Sequence, residues 1–440
     1  MYPASLGRRA LLLGAAGTAL AGCGGGSGSG RSAATPSPSS SGPIIHGQDA
    51  GTVILDADVD ALVDGLTRAL EAGDVRAMAG LVPDLDEAEW RRRLDILGRF
   101  PMRELRFDVD RTFVGRQTNA SGGALTTDVR LFLIHQLEAA DSVPVVQEYT
   151  SEVTKADPEA ELVFGGLSGP HSLNFPAPWD LPGDWQVLTG PHAVLVFRAP
   201  QRAVAERWLE PLSEGIGQAM AMVPTPAGVT RLLVAMDEPD SPLFLRNEPN
   251  DVVRDRGGFA ARAQYLDPDS LTAETELDEE DGPRATSRIV VHPGMITSDA
   301  DAVELGSHEA AHALAGQWGL GGDTWAVEGF AMWVESGGGD GLMRRFGGEI
   351  RAAFSSYRGR MRNGAGLPQD VFQEADPSTV HANYVCSGAV LAYVEATHGR
   401  AQVIDLVRRV YDLSGVNAKV FRGVGARDLA DLLARTEAWL

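Results

Sequence analysis

Two short segments with histidine and glutamate at fixed positions constrain this chain more than any other feature. Residues 307–312 have the sequence Ser-His-Glu-Ala-Ala-His, and residues 325–331, after a Gly-rich turn, have the sequence Trp-Ala-Val-Glu-Gly-Phe-Ala. If a helix spans 301–317, His308 and His312 lie one turn apart on the same helix face. Both imidazoles can then bind a single metal ion, so this helix provides half of a metal site.

The residues that flank the histidines favour two helices joined by a tight turn. Alanine and leucine are frequent in 302–315, and the Gly-rich residues 319–322 end the first helix. Asp323 or Thr324 can cap the second helix. Helices that are joined by a short turn are antiparallel neighbours, so Glu328 can return to the histidine face as a third ligand.

These residue types match the chemistry of a catalytic zinc site. Two neutral imidazoles and one carboxylate leave Zn2+ one position for water, and the metal lowers the pKa of that water to about 7. Glu309 is adjacent to His308 and can take the proton of the water as general base. The alternative is a pair of surface histidines on an Ala-rich helix, but Glu328 on a second helix favours the metal site. The sequence therefore predicts Zn2+ as the cofactor, bound by His308, His312 and Glu328.

The spacing of these motifs resembles that of a known enzyme family. His-Glu-x-x-His with a downstream Trp-x-x-Glu-Gly-Phe-Ala is similar to the gluzincin metallopeptidases, the clan of aminopeptidase N and thermolysin, and most of all to their bacterial peptidase MA-like relatives. The resemblance covers roughly 185–440 and implies that Glu309 is the catalytic base of a peptidase. The connection from His312 to Glu328 is shorter than in the aminopeptidases, which would open the rim of the site.

Two further residues can support the same site. Glu335 lies two turns after Glu328 on the same helix face, so its carboxylate could orient an imidazole ligand by accepting the free N–H. A solvated helix glutamate is the alternative. The resemblance also implies that Tyr384 stabilises the oxyanion of the transition state, because it matches a tyrosine of the gluzincin aminopeptidases. His381, one turn earlier, is a competing donor, and a core tyrosine is the structural alternative.

The N-terminal segment has the features of an export signal. A pair of arginines precedes apolar residues 10–20, which are too few to span a bilayer as a helix. Residues 20–23, Leu-Ala-Gly-Cys, resemble the bacterial lipobox, in which the cysteine is acylated after cleavage. We therefore expect a lipoprotein signal peptide over 1–22 and a lipid anchor at Cys23, on the extracytoplasmic face of the cell membrane. An ordinary secretory signal with an incidental cysteine is the alternative, and the paired arginines leave both the general and the twin-arginine export routes open.

A tether and two domains are predicted after the signal. Residues 23–50 are mostly Gly, Ser, Pro, Thr and Ala, which cannot bury enough apolar surface to fold. Over 51–166, helical spacing of apolar residues is followed by strands of period two, which predicts helices first and an antiparallel sheet after them. This order, with the segment Ala-Leu-Glu-Ala-Gly-Asp-Val, is similar to the nuclear transport factor 2-like superfamily. A Pro-rich linker is expected over 167–184, packed by Trp179 and Trp185.

The second domain, 185–440, is predicted to have a thermolysin- or aminopeptidase-like fold. Strands are expected over 193–197 and 229–236 with a helix over 201–222 between them, and the C-terminal half of the domain is mostly helical. By resemblance, the strand 288–291 before the histidine helix could be the sheet edge that pairs with an extended peptide. The fold class of the whole chain is therefore α+β.

Composition excludes some functions and leaves two. A net charge of −22 over 440 residues argues against binding nucleic acid or an anionic bilayer surface. The two cysteines, Cys23 and Cys386, provide no disulfide framework, and Cys386 is expected to be a buried core residue. We expect a membrane-anchored zinc metallopeptidase for a peptide or protein substrate, with endopeptidase action preferred because nothing resembles the aminopeptidases' Gly-x-Met-Glu-Asn strand. The alternative is a non-catalytic binding lipoprotein with a degenerate peptidase-like domain.

Overall fold

The structure is a computed structural model that describes most of the chain after its N-terminal segment. The described residues are 54, 56–109, 118–119, 125–156, 160–168, 177–238, 241, 243, 257–261, 265–266, 273–274, 288–319, 323–362, 377–412 and 419–440. They form a mixed α+β fold, with an antiparallel sheet in the first part and a helical C-terminal half, as the sequence predicts. No helix among them is long and apolar enough to cross a membrane. The predicted signal peptide and Cys23 lie outside the described residues.

Three helices open the described chain, and aspartate caps fix the start of two of them. They are α1 (Asp56–Ala72), α2 (Val75–Leu81) and α3 (Glu87–Leu97). The side chains of Asp74 and Asp86 each accept hydrogen bonds from two backbone N–H groups in the first turns of α2 and α3. The sequence predicts helices first in this part of the chain, and these three helices agree with that order.

A seven-stranded sheet follows the three helices. Its strands are β1 (Met102–Val109), β2 (Thr118–Asn119), β3 (Leu125–Leu137), β4 (Val145–Lys155), β5 (Leu162–Phe164), β10 (Tyr265–Leu266) and β11 (Ala273–Glu274). The order is β1-β3-β4-β10-β11, with β2 beside β3 and β5 beside β4. The antiparallel pairing of β1, β3 and β4 agrees with the predicted order of elements. The pairing of Tyr265 with Val145, which adds a later part of the chain to this sheet, was not predicted.

A second sheet of five strands supports the candidate site. Its strands are β6 (Trp185–Thr189), β7 (Ala193–Arg198), β8 (Leu232–Met236), β9 (Gly258–Ala261) and β12 (Arg288–Val291). In the order β6-β7-β8-β12-β9, the three inner strands are parallel and the two outer strands antiparallel to their neighbours. Every residue of β8 and β12 is buried, which is typical of a parallel sheet covered on both faces. Alternate residues of β7 accordingly belong to two different hydrophobic clusters.

The predicted position of one strand is wrong. The sequence predicts residues 288–291 as the sheet edge, but β12 is an inner strand with β8 on one side and β9 on the other. Its backbone N–H and C=O groups are therefore already paired within the sheet. Among the described strands, β9 forms this edge, and it contacts the helix that carries the two histidines.

Seven α-helices of the described chain belong to the second part. They are α4 (Arg202–Met222), α5 (Asp299–Ala315), α6 (Thr324–Glu335), α7 (Gly339–Arg362), α8 (Pro377–His398), α9 (Arg400–Asp412) and α10 (Leu429–Trp439). The predicted histidine helix is confirmed as α5, with an earlier start because Ser298 caps it by accepting a hydrogen bond from the Asp301 N–H. Asp323 is the N-cap residue of α6, one of the two residues that the sequence predicts there, but its side chain makes no capping hydrogen bond.

The segment with Trp179 packs on the first sheet through a buried polar network. Trp179 donates from Nε1 to Gln147 Oε1 (2.7 Å), and the Asp180 carboxylate accepts from Tyr149 Oη (2.5 Å) and from Gln147 Nε2 (2.8 Å). The Trp179 ring also meets His135 edge-on, with centroids 5.0 Å apart. Burial lowers the pKa of His135 to about 4, so this imidazole is a neutral core residue at neutral pH.

A buried ion pair joins the first sheet to the second. Arg288, at the start of β12, donates from Nη1 and Nη2 to the Asp141 carboxylate, with Nη2 2.9 Å from Oδ2. The Asp141 side chain is fully buried and that of Arg288 is 10 % exposed. In the same turn after β3, Ala139 O accepts hydrogen bonds from the backbone N–H groups of Thr230 and Arg231. The turn therefore fastens both β8 and β12 to the first sheet.

We expect Arg288→Met to destabilise the protein by about 3–5 kcal/mol, because it leaves the buried Asp141 carboxylate without its counter-ion. Urea unfolding of the full chain, followed by tryptophan fluorescence, measures the change. The matched control is Arg202→Met, because Arg202 pairs with Glu206 on the solvent-exposed side of α4 and the change should stay within about 0.5 kcal/mol. An equal loss of stability in the two variants would contradict the role given to the buried pair.

Candidate metal centre

Two close helix contacts bring the histidine helix into the core. A Cβ atom added at Gly215 of α4 would lie 2.1 Å from Val303 O, and one added at Gly306 of α5 would lie 2.6 Å from Leu212 O. Only glycine lets the two backbones approach this closely. As a consequence, all residues of α5 in 305–315 are buried, including those with polar side chains.

The predicted ligands His308, His312 and Glu328 come together between α5 and α6. Nε2 of His308 and Nε2 of His312 each lie 3.5 Å from Glu328 Oε2. The two imidazole rings meet edge-on, with centroids 4.9 Å apart. One ligand atom from each residue lies within 4.8 Å of the other two. These three residues form a buried group that could hold a metal ion.

The donor atoms of this group fit a metal ion better than they fit one another. His308 is 3 % exposed, His312 is 7 % exposed and Glu328 is fully buried. At 3.5 Å their contacts lie at the outer limit of a hydrogen bond, and neither Nε2 atom nor either Glu328 oxygen makes one within the described residues. Buried polar atoms nearly always have a hydrogen-bond partner. Imidazole and carboxylate with uncommitted lone pairs are the donors that a divalent transition metal accepts.

Glu309 lies on the same helix, at the edge of the second sheet. It is fully buried, and its Cγ would lie 3.4 Å from a Cβ atom added at Gly258 of β9. The same added atom would lie 2.9 Å from Val290 O, so any side chain at this position would be crowded from two directions. The glycine therefore lets the edge strand pass directly beside the side chain of Glu309, the residue that the sequence predicts as the general base.

Glu335 lies near the end of α6 with its carboxylate against His308. Glu335 Oε2 is 3.1 Å from His308 Nδ1, so it can accept the N–H of the imidazole and leave Nε2 for the metal site. The Glu335 side chain is 1 % exposed, which does not fit a solvated helix glutamate. Its other oxygen, Oε1, accepts a hydrogen bond from Arg345 Nη1 at 2.9 Å.

Tyr384 on α8 lies beside His308. A close contact between α8 and Gly329 of α6 allows this position. The Tyr384 and His308 rings are 25° from parallel, with centroids 6.3 Å apart. Gly329 directly follows Glu328, and a Cβ atom added there would lie 2.7 Å from Ser387 O. The backbones of α6 and α8 therefore touch one turn away from Tyr384.

One ring nitrogen of His381, the competing donor, pairs with a glutamate on another helix. Its Nε2 lies 2.9 Å from Glu349 Oε2 on α7. Its ring also meets the Phe346 ring edge-on, with centroids 5.8 Å apart. Nδ1 of His381 is buried and makes no hydrogen bond within the described residues. The ring contact with His308 is the observation that favours Tyr384 as the donor beside the metal group.

The metal-free group holds opposite charges next to each other. Burial acts to lower the pKa of His308, but the carboxylates of Glu328, Glu335 and Glu309 outweigh it and raise this pKa to about 10. Burial acts to raise the pKa of Glu328, but His312 and His308 outweigh it and lower this pKa to about 2. An imidazolium therefore faces a carboxylate when no metal is bound, and a metal ion must displace the proton of His308.

Cys386 is a core residue, as the sequence predicts. It is fully buried on α8, and burial raises the pKa of its thiol. A thiol that stays protonated at neutral pH is a poor nucleophile and a poor metal ligand.

Three residues at the site were missed by sequence reasoning. Arg345 lies outside both motifs and reaches the site from α7, so no local spacing indicates it. Gly258 lies in a strand of four residues, which is too short for a clear period. Gly329 did carry a signal, because a glycine inside a helix often marks a close backbone contact.

The fold and the site define a class of protein: an α+β chain with a buried group of two histidines and one glutamate that could hold a metal ion. A scan against protein-family models finds no match, and a search of the curated proteins finds no similar sequence. Function is therefore inferred from the residues of the site and their geometry.

We expect the metal affinity of the site to rise about tenfold per pH unit between pH 7 and 8, because each metal bound must displace the proton of His308. A histidine with the ordinary pKa of 6.5 is already mostly neutral above pH 7. With such a histidine, the affinity of the site for the metal would level off above pH 7. The measurement is zinc affinity by competition with a chelator at fixed ionic strength. An affinity that is constant over this pH interval would contradict the raised pKa.

Proposed function

We propose that this chain is a zinc metallopeptidase of the gluzincin type, which hydrolyses peptide bonds in a peptide or protein substrate. The observation that carries the proposal is the buried group of His308, His312 and Glu328, with Glu309 buried on the same helix and its side chain against Gly258 of β9. Two neutral imidazoles and one carboxylate are the ligand set of several catalytic zinc sites and leave a coordination position for water or substrate. Zinc held there supplies a Lewis acid that polarises a carbonyl group and lowers the pKa of water.

The edge strand β9 supports a peptide as substrate. An extended peptide can add to a sheet edge through backbone hydrogen bonds, which recognise any sequence and leave specificity to the side chains. Among the described strands, β9 pairs on one side only, with β12. Gly258 lies within contact distance of the Glu309 side chain, which supports a peptide that is bound along β9 as the substrate.

Glu309 is the group that would move the proton. A carboxylate beside the metal ligands can accept a proton from the attacking water and return it to the leaving amine, which would otherwise depart as an unstable anion. Glu309 follows His308 on the buried face of α5, so the same helix fixes both groups. Its burial removes bulk water, which would compete for the proton.

Tyr384 would stabilise the negative charge that develops on the carbonyl oxygen. A preorganised donor in a water-poor site stabilises such charge strongly. The Tyr384 side chain is 1 % exposed and its ring lies against that of His308, which supports this role.

The location follows from the N-terminal segment. Its lipobox-like residues 20–23 support a lipid anchor at Cys23, so the peptidase would act at the extracytoplasmic face of the cell membrane. We propose endopeptidase rather than aminopeptidase action, because no segment of the sequence resembles the Gly-x-Met-Glu-Asn strand with which the aminopeptidases hold the substrate amino group.

A cavity in the first part of the chain favours a second candidate function, that of a binding lipoprotein. The cavity has a volume of about 530 Å³ and no residue of the candidate metal centre lines it. Its lining includes Leu70, Leu94, Leu97, Phe100, Met102 and Leu105. A full chain that binds zinc but hydrolyses no peptide would favour this alternative.

We expect Glu309→Gln to keep one bound zinc and to lose at least ~100-fold of the peptidase activity, because the amide cannot accept the proton. Zinc content by atomic absorption and cleavage of a quenched fluorescent peptide library measure the two properties. His308→Ala should lose both zinc and activity, since it removes a ligand.

The matched control for that pair of variants is Glu206→Gln, at an exposed position of α4. It should change neither zinc content nor turnover. A wild-type protein that takes up no zinc, even when refolded with the metal, would reject the proposed function.

We expect Tyr384→Phe to lower kcat by ~10- to 1,000-fold with little change in KM, because the phenol donates to the oxyanion only in the transition state. Steady-state kinetics on a cleaved peptide provide both constants. Zinc content and melting temperature should match the wild type. A variant that melts earlier and keeps its turnover would assign Tyr384 to core packing.

A further inference from the structure

A chain of charged contacts leads from the surface of α5 to the imidazole of His308. Arg345 donates from Nη2 to Glu304 Oε2 at 2.6 Å and from Nη1 to Glu335 Oε1 at 2.9 Å. Glu335 Oε2 in turn lies 3.1 Å from His308 Nδ1. The exposed fraction of the side chains falls from 37 % at Glu304 and 28 % at Arg345 to 1 % at Glu335.

The carboxylate of Glu335 needs an external anchor to hold His308 in place. The last torsion of a glutamate side chain is broad and roughly two-fold, so rotation of the carboxylate is weakly restrained by the chain itself. Arg345 holds Oε1, which fixes the direction of Oε2 towards His308 Nδ1. The fixed Oε2 then determines both the tautomer and the ring orientation of the imidazole.

Arg345 also connects the helices that carry the metal group. Glu304 precedes His308 by one turn on α5, whereas Glu335 lies on α6 and Arg345 itself on α7. The guanidinium is planar and presents its donors in a fixed fork, so it can hold two carboxylates at a set separation. Lysine offers a single charged nitrogen and cannot reproduce this geometry.

We propose that Arg345 is a positioning residue of the metal centre, which acts on His308 by fixing the carboxylate of Glu335. The inference rests on the metal site of the proposed function, but not on peptidase activity. It adds to the site a residue that pairs with Glu304 and Glu335 and that lies outside both sequence motifs.

The test is a double-mutant cycle on the zinc affinity of the full chain, measured by competition with a chromophoric chelator. Arg345→Met should weaken zinc binding about tenfold and Glu335→Gln up to about 100-fold, the range for groups that orient a metal ligand. The double variant should bind zinc no more weakly than Glu335→Gln alone, because Arg345 acts through that carboxylate. Losses that multiply in the double variant would overturn the proposal.

A spectroscopic signature separates positioning from general loss of stability. With Co2+ in place of zinc, Arg345→Met should shift the visible absorption bands, because these bands report the arrangement of the ligands. Arg345→Lys keeps the charge and should bind zinc with an affinity between those of the wild type and Arg345→Met. If Arg345→Met folds poorly, Arg345→Lys carries the test, and a wild-type affinity and Co2+ spectrum in that variant would overturn the proposal.

The matched control is Arg344→Met, because Arg344 is exposed on the same turn of α7. Its zinc affinity should stay within about twofold of the wild type, well below the effect of an orienting group. A wild-type chain without zinc affinity would reject the proposed function. Normal wild-type binding that is unchanged in Arg345→Met would overturn this inference alone.

Discussion

Buried charge is the constraint on which the site and the helices around it depend. Glu309, Glu328 and Glu335 all lie in the interior, and Arg345 is the basic side chain that pairs with one of them. Once a metal ion has displaced the proton of His308, both imidazoles are neutral, and three carboxylates and one guanidinium sum to a formal charge of −2. Such a charge is unfavourable away from water unless it is paired or binds a metal. A divalent cation between His308, His312 and Glu328 would balance this charge, which would explain why three acidic side chains are buried together.

The helices can enclose these charges only because their backbones come into contact. Gly215 and Gly306 let α4 and α5 touch, and Gly329 does the same for α6 and α8. Close approach excludes water from the ligands and fixes their separation, since packed interiors deform little. The contact at Gly329 also fixes the position of α8, and with it the position of the Tyr384 ring against the His308 ring. Helix packing therefore explains the glycine that directly follows the candidate ligand Glu328, whether or not a metal ion binds.

Local parts of the site could be predicted from the sequence, and long-range parts could not. His308 and His312 follow helical periodicity, so a pattern of a few residues places both on one face. The position of Glu328 beside the histidines could also be predicted, because only a short turn separates its helix from α5. Arg345 and the edge strand β9 come from distant segments and meet the site through tertiary packing, for which a single sequence holds no periodic signal. The strand 288–291 was identified correctly as a strand, but its place within the sheet depends on β9, which its own residues do not encode.

The first sheet supports the edge strand rather than standing apart from it. Phe259 of β9 packs in the hydrophobic cluster of the first sheet, whereas Gly258 faces Glu309 on the opposite side. The neighbouring strand β12 is tied to the same sheet by the buried pair of Arg288 and Asp141. Farther along the chain from β9, Tyr265 pairs with Val145 in the first sheet. Since a sheet edge that binds a peptide must hold its backbone groups in register, these three attachments make the first part of the chain a structural component of the proposed substrate edge.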